Sequence, residues 1–453
     1  MPQDQVQPVS PEPMSLRPPA GEHPSFAALV AVFAKIGILS FGGPAGQIAL
    51  MHRIIVDERK WLDEKRYLSA LNFCMLLPGP EAMQLATYVG WRLHGVAGGL
   101  AAGLLFVLPG AVIMLALSLA YALYGNVPVV TALFVGIKAA VLAVVVEALL
   151  RVSRRALKGS ADWAIAAAAF VAIFFLEVPF PLIVLAAAIF GYLRTQEADI
   201  AASTAAAKTE TALADVNWRA TATTIAVWLA VWILPLLAIV ATFGSGHVLS
   251  QMAWFFSKLA VVTFGGAYAV LAYMAQAVVE DYRWLKPGEM MDGLGLAETT
   301  PGPLILVLQF VGTIAAFREG GGAPIAMGVL GALVTLWATF APCFLWVFAG
   351  APYIERLTRM PRLSSALRAV TACVVGVILN LTVWFALHVL FRSVGNTHVG
   401  PVKLMVPDIA TLDLTAAGLA VLAVVLLFGL HRGILTTLAV CAGLAVAISF
   451  LVR

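Results

Sequence analysis

Charge is what this chain has least of. Only 11% of its 453 residues are Asp, Glu, Lys or Arg, where a soluble domain carries about 25%. The length would hold two or three soluble domains, but so little charge cannot clothe their surfaces in water, and composition overrides the length. Cysteine is scarce too. Cys74, Cys343, Cys373 and Cys441 sit singly in apolar segments, with no CxxC pair and no Cys/His cluster at metal-ligand spacing. Such isolated thiols read as small core hydrophobes. The seven histidines are scattered, so paired haem ligands are not expected, and no GxGxxG follows a strand. These absences leave a cofactor-dependent enzyme without a foothold, and no metal, cofactor or catalytic residue is expected. A net charge of +4 gives no reason to expect nucleic acid as a partner. The first two dozen residues hold seven prolines and no apolar stretch of signal-peptide type. Residues 1–24 therefore read as a disordered cytoplasmic tail.

What the chain has is apolar length. Hydrophobic residues make up 61% of it, and runs such as 96–124, 127–150 and 323–350 can each cross a bilayer as helix. The expected fold is an all-α polytopic membrane protein with lipid as its surroundings. Spans are expected at 25–50, 67–90, 96–124 and 127–150, then a proline-interrupted pair at 161–176 and 179–194. After a polar linker at 195–217 come an extra span at 218–244 and further spans at 250–278, 290–317, 323–350, 363–391, 411–430 and 433–451. That makes about 12–13 transmembrane segments.

The chain also says the same thing twice. Phe33-Ala-Lys35, Phe41-Gly42-Gly43, Trp61-Leu62 and Pro78-Gly79-Pro80 recur 223 residues later as Phe256-Ser-Lys258, Phe264-Gly265-Gly266, Trp284-Leu285 and Pro301-Gly302-Pro303. The match resumes at an offset of 233, pairing Pro109 with Pro342, Lys138 with Thr371 and Glu147 with Asn380. Two repeats are expected, 25–194 and 218–453, the second with the extra leading span. The repeat begins seven spans later, and an odd offset points the copies in opposite directions across the membrane. Arg151, Arg154, Arg155 and Lys158 follow the fourth span of one copy, while Arg356, Arg359, Arg362 and Arg368 precede its counterpart in the other. Both basic loops belong in the cytoplasm only if the copies are inverted. The basic loop 52–66 fits poorly, since it falls outside if every segment spans; either it lies as an amphipathic strip at the interface, or 67–90 is re-entrant and the span count falls.

The strings Phe41-Gly-Gly-Pro-Ala-Gly-Gln47, Asp57-Glu-Arg-Lys-Trp-Leu62 and Leu77-Pro-Gly-Pro-Glu-Ala-Met-Gln-Leu-Ala86 resemble the chromate ion transporter family. Gly90-Trp-Arg92-Leu-His-Gly95 and Phe106-Val-Leu-Pro109-Gly110 continue the likeness, as do Thr263-Phe-Gly-Gly and Thr300-Pro-Gly-Pro in the second copy. The resemblance is to the long, two-repeat form and runs from about residue 25 to the end. It implies a multi-pass protein of the bacterial plasma (inner) membrane that exports chromate, driven by the proton motive force, and so confers chromate resistance. Sulfate or another tetrahedral oxyanion is the alternative substrate. An anion channel or a membrane-bound oxidoreductase is a more distant reading. A homodimer is compatible with all of these.

Duplicated, broken helices place a transporter's site between the repeats. Proline removes an amide hydrogen and glycine tolerates the dihedrals of a break, so Gly42, Gly43, Pro78, Gly79, Pro80, Gly265, Gly266, Pro301, Gly302 and Pro303 would expose backbone amides to an anion. Packing kinks are the plainer reading of the same residues. Lys35, Lys138 and Lys258 are the basic residues deepest in apolar segments. Lys35 lies about ten residues into its span, roughly 15 Å deep. Lys35 and Lys258 brought face to face by inversion would balance a dianion; the alternative is pairing with Glu81 or Glu298. Those two carboxyls are the expected proton carriers. Ser40, Gln47, Gln84, Thr263 and Thr300 could replace an oxyanion's hydration shell, as could Asn72, Tyr268, Thr299 and Gln309, although each serves equally as a helix–helix hydrogen bond. Arg92 either guards the anion's entry or marks orientation. Trp61 and Trp284 read as interfacial anchors.

Overall fold

The computed structural model describes residues 24–195, 218–264, 267–354, 360–400 and 402–451. The expected tail up to residue 23, the linker from 196 to 217, and Gly265 and Gly266 lie outside them. Among the described residues there are sixteen α-helices and one hairpin of two strands. In order these are α1 Phe26–Leu39, α2 Gly43–His52, α3 Glu64–Leu76, α4 Glu81–Tyr124, α5 Pro128–Ala156, α6 Ser160–Phe174 and α7 Phe180–Leu193. Then come α8 Trp218–Phe243, α9 Val248–Val262, α10 Ala267–Gln276, α11 Pro287–Thr299, α12 Val307–Glu319, α13 Pro324–Gly350 and α14 Pro361–Leu390. Strands β1 Val394–Val399 and β2 Val402–Pro407 pair antiparallel, followed by α15 Leu414–Val424 and α16 Ile434–Leu451. Among the described residues six helices are long and apolar enough to cross a membrane, including α5, α8, α14 and α16. The chain is an all-α, multi-pass membrane protein.

Four of the expected spans are pairs of half-helices. Segment 25–50 is α1 and α2, broken at Ser40–Gly42, and 250–278 is α9 and α10. Segment 67–90 is α3 and the start of α4, separated by Pro78-Gly79-Pro80, and 290–317 is α11 and α12, separated by Pro301-Gly302-Pro303. In the second copy the two halves double back. The Arg318 guanidinium clasps the Glu289 carboxylate with two bonds of 2.9 and 2.7 Å, tying the end of α12 to the start of α11. Helix α4 also folds back, at His94 and Gly95, whose dihedrals are non-helical. An ideal Cβ on Gly98 would lie 2.3 Å from the Gly90 carbonyl oxygen, which no straight helix allows across eight residues. The same approach recurs between Gly331 and Gly312, at 2.3 Å. In the first copy Phe73 of α3 and Tyr88 of α4 likewise face each other, with ring centroids 6.0 Å apart, across Pro78-Gly79-Pro80.

The two copies are interlocked. Helices α6 and α7 pack on α14, and their counterparts α15 and α16 pack on α5. Small residues make these contacts close. An added Cβ would meet the Ala166 carbonyl oxygen at 2.1 Å from Gly376, and that of Cys441 at 2.2 Å from Gly136. All four cysteines are buried and unpaired. The end of α5 and the start of its counterpart α14 lie at one end of the bundle. There Arg368 bonds Asp162 at 2.9 Å, and Asp162 accepts the Lys158 and Gly159 amides. Trp284 is no surface anchor. It is 2% exposed and stacks on Tyr282 at 4.4 Å, inside an aromatic cluster with Phe255 and Phe256.

Gly136→Leu is expected to cost about 1–3 kcal/mol by forcing α5 and α16 apart. A thermal unfolding scan in detergent should show a lowered midpoint, with Gly418→Leu, whose added side chain meets nothing nearby, as the matched control.

Candidate functional site

The two copies meet through their breaks. The Gly79 amide donates to the Thr263 carbonyl at 2.8 Å, and the Gly302 amide donates to the Ser40 carbonyl at 2.8 Å. Gly79 and Gly302 are repeat counterparts, as are Ser40 and Thr263, so one contact is made twice with the copies exchanged. Gly79 has φ +120° and Gly302 φ +92°, which glycine adopts at little cost. Space enforces the same choice. A Cβ on Gly79 would meet Cys343 Sγ at 2.9 Å, and one on Gly302 would press on Leu306 Cδ1 at 3.1 Å and reach the Cα of Gly110, the counterpart of Cys343, at 3.5 Å. At the first break Gly42 and Gly43 both have positive φ, of 86° and 73°, which turns the chain between α1 and α2.

These turns bring helix starts together. A narrow cavity is lined by Pro44 and Gln47 of α2, Pro80, Glu81 and Ala82 at the start of α4, Ala267 at the start of α10, and Pro303, Leu304 and Ile305 on the turn leading into α12. First-turn amides have no partner within their own helix, and the helix dipole leaves positive charge there. Three helix starts and one short turn, contributed by both copies, surround this space. Pro78 and Pro301 open the two turns that shape it.

The side chains around the junction hold it together. Gln47 Nε2 donates to the Gly302 carbonyl at 2.6 Å, Gln84 Nε2 to Pro78 at 2.6 Å, and Gln309 Nε2 to Ala111 at 2.9 Å. The hydroxyls of Ser40, Thr263 and Thr300 donate back into their own helices, to Ile36, Leu259 and Ala297. In this structure their protons are engaged within their own helices. What Ser40 and Thr263 give the junction is their carbonyl oxygens.

Arg155 and Arg151 carry positive charge toward the acids near the junction, and the sequence marked them only as orientation signals. Arg155 Nη2 approaches Met75 Sδ to 3.5 Å, at the end of α3, and lies within electrostatic reach of Glu81. Arg151, bonded to Glu147, is within reach of buried Glu298, which accepts the Tyr268 hydroxyl at 2.8 Å. Their spacing of four on one helix, next to an apolar run, is the signal that could have singled them out.

The lysines sit elsewhere. Lys35 lies on the exposed face of α1 with Ala31 and Ile38, opposite buried Val32, Phe33 and Ile36. Lys258 shares the exposed face of α9 with Trp254 and Val261, and its ammonium sits 5.8 Å from the Tyr273 ring centroid within its own copy. Helical period explains both positions. Neither lines the cavity, so the expected face-to-face pair across the junction is not formed. Lys138 is engaged by Asp292, whose Oδ1 lies 3.3 Å from Nζ. Arg92 is partly buried, two residues before the reversal of α4.

The chromate transporter family profile matches residues 27–192 and 250–447, covering both copies and leaving out α8. The chain belongs to the chromate transporter family. It is 32% identical to a chromate transport protein of Pseudomonas aeruginosa, over 88% of this chain and 87% of that one. Against a probable chromate transport protein of Synechococcus elongatus it is 29% identical, over 80% and 85% of the two chains. A chromate transport protein of Cupriavidus metallidurans is 27% identical, over 79% and 82%. No solved structure matches. In this chromate transporter family member both matched regions contain one full set of breaks, so the junction is built from the matched parts alone.

Gly302→Ala is expected to strain a φ of +92° and to press on Leu306, lowering stability by about 1–3 kcal/mol. Ser40→Ala keeps the carbonyl that matters and should cost less than half as much. Paired unfolding curves of the two variants check this ordering.

Proposed function

We propose that the protein exports chromate from the cytoplasm through the junction between its two repeats, and that this export confers chromate resistance. The observation that carries the reading is the meeting of three helix starts and a proline-glycine turn, drawn from both copies, around one cavity. The family match supports chromate as the anion. A tetrahedral dianion suits amide donors arriving from several directions, and sulfate has the same shape and charge, so it is the competitor to test. We read the protein as a carrier and not an enzyme, in keeping with relatives named as transport proteins.

The repeats, 25–194 and 218–453, are inverted in this proposal. Counterparts α5 and α14 run in opposite directions from the same basic end, which supports that arrangement, and the basic end is cytoplasmic in a bacterial inner membrane. Arg151 and Arg155 then stand on the cytoplasmic approach, where they attract the anion. The membrane potential, negative inside, favours its exit by about 2.3 kcal/mol per charge per 100 mV, twice that for a dianion. Glu81, on the cavity wall, and Glu298, on the Tyr268 hydroxyl, are the groups assigned to proton coupling. A dianion in the cavity raises the proton affinity of Glu81 beside it, so anion occupancy and protonation are linked.

Inside-out vesicles with radiolabelled chromate test this. Gradient-driven uptake is expected, reduced at least tenfold by Arg155→Ala and little changed by Lys35→Ala. Glu81→Gln should remove the dependence on a pH gradient while a voltage-driven flux persists. Sulfate uptake without chromate uptake would overturn the substrate, and no flux of either would overturn the carrier.

A further inference from the structure

The counterparts of the two copies are not equally buried, and the difference has a pattern. Leu68 on α3 is 45% exposed, whereas its counterpart Met291 on α11 is 1% exposed. Asn72 is exposed and its counterpart Gly295 is buried; Ala49 on α2 is exposed and Ala272 on α10 is buried. Lys65, Leu68 and Asn72 share one face of α3, and a face carrying a lysine and an asparagine meets water in preference to lipid. In the second copy the matching surfaces are closed. Helix α11 packs on α5, close enough that a Cβ on Gly295 would lie 2.1 Å from Ile137 Cγ2. Lys138 of α5 meets Asp292 of α11 at 3.3 Å, and the Tyr121 hydroxyl of α4 donates to the other Asp292 oxygen at 2.7 Å. The hairpin of β1 and β2 adds a cover on this side. Lys403, 5% exposed, bonds Glu177 at 2.8 Å and Glu280 at 2.9 Å. The corresponding link in the first copy, between α5 and α6, is only residues 157–159 and holds no such hairpin.

We infer that the structure is the state open toward the basic loops, and that Lys138, Asp292 and Tyr121 form the latch that keeps the opposite side closed. Exchanging the roles of the copies gives the other state: α3 packs on α14, and α11 leaves α5. The counterparts of Lys138 and Asp292 are Thr371 and Ser69. The inner closure is therefore made by two neutral hydroxyls and the outer one by an ion pair with a tyrosine donor. Charge-assisted hydrogen bonds are about twice as strong as neutral ones. The unequal latches bias the resting protein toward the basic-loop side. This inference rests on reading the repeats as the two halves of a carrier, and it turns Lys138 from an anion ligand into a gate residue.

Disulfide trapping in membranes tests it without reference to flux. Ser69→Cys with Thr371→Cys, in a background carrying Cys74→Ala and Cys373→Ala, should cross-link slowly under mild oxidation. Adding Asp292→Asn should speed the cross-link at least fivefold, and the exchange of Lys138→Asp with Asp292→Lys should slow it again. Lys138→Met, with the carboxylate kept, serves as a second route to a broken latch if Asp292→Asn lowers the amount of protein in the membrane. A rate that is the same with the latch intact and broken overturns the latch. Failure of the pair to cross-link in every background overturns the alternate packing of α3 on α14. Flux is then measured on the same vesicles after reduction. Latch-dependent cross-linking without chromate flux would sink the substrate and leave the gate standing; flux with latch-independent cross-linking would do the reverse.

Discussion

Two backbone hydrogen bonds, Gly79 to Thr263 and Gly302 to Ser40, hold the centre of this protein. Each closes the proline-glycine turn of one copy onto the broken helix of the other. A net hydrogen bond contributes only about 0.5–1.5 kcal/mol, but an amide left unpaired in a dry interior costs about 1–3 kcal/mol. The turns therefore need each other, and neither copy can complete its own centre. Irregular backbone is tolerated at this depth only where protein or a cavity receives it. Here each copy's turn is received by the other, and the cavity bounded by the helix starts is what remains between them.

Duplication has preserved backbone chemistry more faithfully than charge. The glycines and prolines of the breaks have counterparts, and so do the carbonyls they meet. The acids do not: Glu81 corresponds to Leu304, Glu298 to Met75 and Asp292 to Ser69. Gln47 and Gln84, which brace the turns, correspond to Val270 and Val307. A frame of amides shared by both halves can present the same face to an anion from either side. Charges placed on one half only make the two sides unequal.

Much of this was legible in the residues. The 223-residue offset located both sets of breaks, because glycine and proline act through the backbone and leave their mark in order along the chain. Membrane character followed from the shortage of charge. The doubling back at the Pro-Gly-Pro turns was harder to see, since 67–90 and 290–317 are long enough to span and periodicity does not show where a helix turns round. The placement of the lysines was hidden for a related reason. Depth along a helix can be counted from sequence, but the face it points from depends on neighbours, and Lys35 and Lys258 fall on the exposed side. Arg155 is the converse case: at the end of α5 it resembles an ordinary orientation signal, and only the return of α3 brings Met75 and Glu81 within its reach. Asp292 went unremarked because its partners, Lys138 and Tyr121, come from two other helices.

The account stands or falls on where the anion sits. The most direct measurement is an anomalous difference map, at the chromium edge, from crystals of the protein grown with chromate. The account predicts a peak in the cavity between Pro44, Gln47, Glu81, Ala267 and Pro303, lost in Gly302→Ala. A peak beside Lys35 or Lys258, with that cavity empty, would contradict it.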